Sequence, residues 1–480
     1  MKINEEIYGL DNRSILLFRF LLGFLLFYNL IEQKFRYFQY YSVEHGPFSN
    51  QEVSVIKGDF QSLMFIDTDV KLYILFIISG ISYLLFAFSI MPLISNILSL
   101  LFYYIIAKRF FPYYDGHDTY IITVLFFSIF ISSLYKQKQS NSFEIRSEYC
   151  YLFLFQIAII YFFNGISKVG NYWQTGQAIL MCISNPLINT KNYHYILFND
   201  TILKILNYLT LIFEIILPFL LFIPYKSRYI RFVLVICLLV FHWGIDLFVD
   251  VGLYKYIASC CAIILIPDFV WDKLKLDFSK INFQLKKISI PFSLSGKISK
   301  LSKIISIIFF LVISFRATSF YLYKLNTKYN FIENQIIIEL LRTNLTPVSP
   351  FKQSWSMFAP NPASTFVMFS IELESNTGKR YYKTDLNPLL VKNNHKSFKN
   401  NNPLIPCIEF VASEFDALGT NEINQWKLYN ILKYTLYNNA DKDIKYKKAE
   451  LVFYVQDYSD FKRNNRKYKF KRVVYADVIL

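Results

Sequence analysis

Cysteine is scarce in this chain, and the six present fit neither a metal site nor a disulfide framework. Cys150, Cys237, Cys260 and Cys261 lie in apolar runs, which leaves Cys182 and Cys407 for at most one bridge. No CxxC, HExxH, Walker or GxSxG pattern occurs, so nothing points to a zinc site, a phosphate-binding loop or a serine hydrolase, and no metal is expected. A basic leader is missing too. The first apolar run follows a polar segment with Glu5, Glu6 and Asp11, and no small-residue cleavage site comes after it, so it is expected to remain as a helix. The formal charge of +16 is accompanied by no RNA- or DNA-binding motif, and no nucleic-acid partner is expected.

Apolar residues are what the chain has most of: 54% of its 480 residues are hydrophobic and 19% aromatic. A spanning helix needs about 20 mostly apolar residues, because nothing in the hydrocarbon core can satisfy an exposed backbone. Nine candidate spans meet this description: 14–31, 71–91, 92–112, 119–135, 149–166, 203–224, 229–247, 250–267 and 303–323. The expected fold is an α-helical polytopic membrane bundle over 1–325. The basic residues collect in loops 136–148, 225–231 and 268–302, alternate loops in this count, so the positive-inside rule puts the N-terminus inside and the C-terminal part outside.

From 326 to 480 the composition turns polar, and a small extracytoplasmic α+β domain is expected. "TFVMFSIELES" and "KRYYKTDL" read as a hairpin around "NTG", 423–437 as a helix, and "AELVFYVQDYS" and "FKRVVYADVIL" as two further strands.

Arg19, Glu214 and Arg316 fall inside apolar runs, where a charge is costly and usually faces the bundle interior. Arg19 is expected to pair with Glu214. Such charges either lock helices together or line a cavity, and the sequence alone leaves both open. Lys168, in "FFNGISKVGNYWQTG", is either an interfacial anchor or a base. His242 and Asp246 share a helix face if their helix continues, so the carboxylate could orient the imidazole; a packing histidine is the plainer alternative.

The segments "GHDTY", "YFFNGISKVGNYWQTGQA" and "FHWGIDLFVDVGLYKY" resemble, in order and spacing, the membrane region of vitamin K-dependent γ-carboxylase. They also resemble its wider bacterial group, the horizontally transferred transmembrane (HTTM) domain proteins, in some of which a segment like "SWSMFAPNP" recurs. The resemblance implies that Lys168 is the catalytic base that deprotonates reduced vitamin K or menaquinone and starts its oxygenation by O2. The resulting alkoxide would remove a γ-proton from a substrate glutamate, whose carbanion takes up CO2. It further implies that His117 assists Lys168 and that His242, Asp246 and Trp173 shape or support the pocket. Two departures stand out. Ser167 occupies the place of a second lysine, and the short tail carries no signature of the animal enzyme's propeptide-gripping domain.

Two functional readings follow. One is a quinol-oxygenating, carboxylase-like enzyme in a bacterial cytoplasmic membrane, modifying an exported peptide or protein. The other is a non-catalytic membrane protein that binds, matures or escorts a lipid or exported peptide.

Overall fold

Asp11 opens the first helix: its carboxylate accepts the N–H of Arg13 at 2.8 Å, satisfying a donor that has no partner within the helix. The structure, a computed structural model, describes residues 9–36, 38–46, 66–109, 116–132, 144–146, 148–185, 188–190, 192–224, 226–275, 296–329, 332–334, 336–338, 357–359, 362, 365–378, 380–382, 446–463 and 471–479. Its long elements are α1 (Asn12–Asn29), α2 (Asp69–Ala87), α3 (Pro92–Arg109), α4 (Gly116–Ser132), α5 (Glu148–Ile166), α6 (Asp200–Leu220), α7 (Ser227–Phe248), α8 (Tyr254–Ile263) and α9 (Gly296–Tyr329).

A helix therefore stands at each expected position, but among the described residues only five, α1, α2, α5, α6 and α7, are long and apolar enough to cross a membrane. The apolar parts of α4 and α9, Gly116–Ile131 and Ile307–Tyr323, are shorter. Lys108 and Arg109 are buried in the last turn of α3. With 10 residues, α8 falls far short: at about 1.5 Å per residue it covers roughly half of a 30 Å hydrocarbon core. The residues an eighth span would need are used by the chain reversal before it, where Val249 bridges Asn189 and Gly252 takes φ +58°.

The surface of α6 shows what surrounds the bundle. Ile202, Ile205, Leu209, Ile212, Ile216 and Phe219 are exposed, whereas Asn207 and Glu214 are buried with Leu203 and Leu217. On α2, Val70, Ile74, Ile77 and Ile81 are likewise exposed. Soluble monomers rarely expose apolar patches beyond a few hundred Å². An apolar outside with polar groups turned inward is the arrangement a bilayer selects. At the centre lie α4 and α5, with Tyr120, Ile121, Ile122 and Leu125 of one and Leu152, Leu154, Ile157 and Ala158 of the other buried.

Arg19 is buried and donates to the carbonyl of Ile131 at the end of α4. The expected Arg19–Glu214 pair is not formed; Glu214 is bonded to Lys168. Arg316 is half-buried on α9. At the end of the bundle where α1 begins, Arg13 bonds Asp11 and Asp272, and Arg231 donates to the carbonyl of Gly9.

β1 (Gly9–Asp11) pairs antiparallel with β2 (Glu144–Arg146), and beyond the helices β3 (Thr365–Ser375), β4 (Arg380–Tyr382), β5 (Tyr446–Asp457) and β6 (Lys471–Ile479) form an antiparallel sheet in the order β4-β3-β5-β6. The turn between β3 and β4 contains Gly378 at φ +79°, a conformation glycine reaches without strain, so the expected hairpin is present. The register sets Glu372 opposite Glu450, and Arg472 bridges the two, at 2.8 and 2.6 Å, with Lys448 as a second cation on Glu450. The expected helix at 423–437, the remainder of the second hairpin strand and Cys407 lie outside the described residues.

Candidate functional site: a buried lysine–glutamate pair

Tyr161, Asn164, Gly165 and Lys168 follow one another at helical spacing, so they share one face at the end of α5 and its exit. That face meets α6 closely because residue 165 has no side chain. A Cβ on Gly165 would lie 3.0 Å from both Glu214 Cβ and Ile215 Cγ1.

The approach brings Lys168 Nζ to 2.5 Å from Glu214 Oε2, with the lysine side chain 2% and the glutamate side chain 4% exposed. Asn164 Nδ2 donates to the other carboxylate oxygen at 2.6 Å, and its carbonyl lies 3.4 Å from Nζ. Lys168 also sits over the Trp173 ring, 5.2 Å from its centroid. Burial pushes the pKa of Lys168 below the ordinary lysine value, while the Glu214 carboxylate pulls it back up. The buried Cys182 thiol is pushed up to about 12 by desolvation, against the opposing pull of Lys168. The thiol is free.

Three buried polar atoms in this region have no hydrogen-bond partner: Asn164 Oδ1, Ser167 Oγ and Asn207 Oδ1. Native interiors satisfy most such atoms, so each asks for an explanation.

Trp173 ties this region to the tail. Its Nε1 donates to the Phe358 carbonyl at 2.8 Å, while Asn207 Nδ2 donates to its own carbonyl at 2.9 Å. Tyr458, in the helix Tyr458–Arg463, stands edge-on to Tyr172 and is buried among Leu180, Met181 and Leu197. Lys462 Nζ donates to Gln177 Oε1 at 3.1 Å.

The remaining expected site residues are distributed differently. His242 is buried on α7 and shares a 2.6 Å hydrogen bond with Tyr161. Its ring also lies near that of Tyr254, which in turn approaches Tyr120. Asp246 does not orient His242, because Lys255 holds it at 2.5 Å with the ammonium over the rings of Trp243 and Tyr256. His117 is half-buried beside Asp118, its Nε2 3.7 Å from the carboxylate, and Tyr103 donates to that carboxylate at 2.5 Å. No hydrogen bond or ion pair joins His117 to Lys168.

Sequence reasoning missed the lysine's partner and the asparagines. The signal for Asn164 was its position one turn before Lys168, and for Glu214 its place on the buried stripe of α6. Possible metal-ligating atoms of Glu44, His45 and Asp69 gather within 4.8 Å. The Asp69 carboxylate already accepts from Ser42 Oγ and Val43 N, both at 2.7 Å, which accounts for its position.

No protein-family model, curated protein or solved structure matches the chain.

Proposed function

We propose that this membrane protein oxygenates a reduced quinone, such as vitamin K hydroquinone or menaquinol, using Lys168 as the base. In this reading O2 and CO2 are co-substrates, and the chain carboxylates or otherwise modifies an exported peptide or protein. The observation that carries the proposal is the closed Lys168–Glu214 pair inside a bundle with an apolar exterior. Intramembrane ionisable groups are costly to maintain and by default mark a functional site. The family resemblance through residues 115–256 supplies the chemistry.

The site residues fit a quinol. Asn164 Oδ1 and Ser167 Oγ would accept hydrogen bonds from its hydroxyl groups, and Trp173 would border its ring. A bound quinol would supply the acidic O–H and the carbon framework that O2 attacks. The chain would orient that O–H, take up its proton and keep bulk water away. His242 contributes through Tyr161, whereas His117 lies outside the hydrogen bonds of Lys168. Orientation follows the basic loops, with the N-terminus inside a bacterial cytoplasmic membrane and the sheet outside.

The test supplies reduced quinone and O2 to membranes containing the protein or its Lys168→Ala variant, with epoxide read by chromatography. Epoxide that depends on Lys168 is expected. None above the variant's background, across several quinols, overturns the reading.

A second reading, a non-catalytic binder or escort of a lipid or exported peptide, is favoured by the tail's docking through Phe358, Tyr458 and Lys462. Under it, Lys168→Ala leaves function intact and changes in the tail abolish it.

A further inference from the structure

We infer that Lys168 and Glu214 act as one proton acceptor rather than as a lysine base with a structural neighbour, and that Asn164 and Ser167 present a hydroxyl donor to this couple. The inference rests on the proton-abstraction reading above and deepens it.

Charge counting carries the first half. In its resting state the closed couple is neutral overall, as either ammonium beside carboxylate or amine beside carboxylic acid. These two arrangements differ only in which heavy atom holds one shared proton, and the direct hydrogen bond between Nζ and Oε2 is the path between them. A further proton produces the same product from either one, an ammonium beside a carboxylic acid with net charge +1. When a hydroxyl donor delivers that proton, its O–H bond breaks, the electron pair stays on its oxygen, and an N–H or O–H bond forms in the couple. Donor and couple then carry −1 and +1 and attract each other strongly in surroundings of low dielectric. A lone lysine must first become neutral to serve as a base. The couple meets no such requirement.

Geometry carries the second half. Asn164 uses its Nδ2 to hold Glu214 Oε1, so its Oδ1 has a fixed position. That atom, in the last turn of α5, and Ser167 Oγ, just past its end, are buried without donors on the way into Lys168. An unfilled acceptor on the residue that holds Glu214, with a second on the residue before Lys168, suits a hydroxyl group. Gly165 makes the arrangement possible by letting α5 and α6 approach closely. The titratable groups facing the couple are Cys182, Tyr161 of α5 and Tyr254 of α8, with His242 of α7 reached through Tyr161. None of these is a carboxyl, so a carboxylic-acid signal at this place reports Glu214 alone.

The test is an infrared pH titration of the full chain in lipid nanodiscs, reading the C=O stretch of a buried carboxylic acid as the difference from Glu214→Gln. In the wild type this band is expected to change with pH. In Lys168→Met it is expected at every pH, because a lone buried carboxyl stays protonated. Lys168→Arg keeps a permanent cation and serves if the methionine variant does not fold; there the band is expected only at lower pH than in the wild type. A band that titrates identically in the wild type and the lysine variants overturns the coupled acceptor. Epoxide formation provides the second arm, with Glu214→Gln expected to lower kcat by about 100-fold or more, the usual range for loss of a proton-transfer group. Undiminished turnover in Glu214→Gln overturns the couple and leaves the quinol reading intact. A coupled infrared titration with no quinol turnover by the wild type leaves the couple standing and removes the quinol.

Discussion

Removing one charge from the Lys168–Glu214 pair should be far more damaging than removing both. Lys168→Met leaves a carboxyl, its side chain 4% exposed, that stays neutral only by holding a proton the unfolded chain gives up at neutral pH, with Asn164 as its remaining partner. Glu214→Leu leaves an ammonium with only the Asn164 carbonyl at 3.4 Å and the Trp173 face at 5.2 Å, and it frees Asn164 Nδ2 as well. Breaking a buried pair from one side costs about 3–5 kcal/mol. The double variant, with both charges replaced by apolar side chains, should fall within about 1–3 kcal/mol of the wild type, because the desolvation of two ions no longer opposes the fold and the unpaired Asn164 Nδ2 is the main loss. The cycle should therefore close with an interaction energy of at least about 3 kcal/mol. Equilibrium unfolding in mixed micelles measures it, at neutral pH and one lipid composition. Effects that add to within about 0.5 kcal/mol would show that the two charges do not depend on each other, and the reasoning about the pair would fail.

Gly23→Ala should lower the melting temperature, since its Cβ would stand 2.6 Å from Ala87 Cβ and 2.7 Å from the Tyr83 carbonyl oxygen. The overpacking cost of about 1–3 kcal/mol exceeds the gain of about 1 kcal/mol in helix propensity, and an unchanged melting point would refute the close approach of α1 and α2. Trp173→Phe removes the bond to the Phe358 carbonyl at about 1 kcal/mol, and faster cleavage of the tail in limited proteolysis is the expected readout. The sheet should weaken in acid. Burial raises the pKa of Glu450, but hydrogen bonds from Lys448 and Arg472 outweigh it and hold the carboxyl below its ordinary value. Its contribution is complete above about pH 4.3, the unfolded value, and is lost as pH falls through the lower folded value; in Glu450→Gln the acid limb of a melting curve should be flatter.

Helix positions were legible from the sequence because a membrane helix satisfies its backbone within one continuous run. The extent of α8 was not, because the turn at Gly252 and the bridge from Val249 to Asn189 depend on contacts made far along the chain. Depth was hidden as well. Arg19 reaches the end of α4 while Glu214 reaches the exit of α5, and these helices run consecutively in opposite directions, so the two charges lie toward opposite ends of the bundle. Helical spacing made Asp246 look like the partner of His242, but the turn brings Lys255 back to claim it. Lys168 could be singled out by its place after an apolar run; its partner could not, because Gly165, the residue that brings Glu214 close, shows its importance only against the backbone of α6.

Trp173 gives this chain its own optical gauge. It is one of five tryptophans, its indole lies against the Lys168 ammonium, and its N–H reaches the tail at Phe358. Emission from a chain retaining only this tryptophan would respond to charge at the lysine and to lifting of the sheet. A single unlabelled side chain would then time both events, revealing whether the tail moves before, with or after the proton.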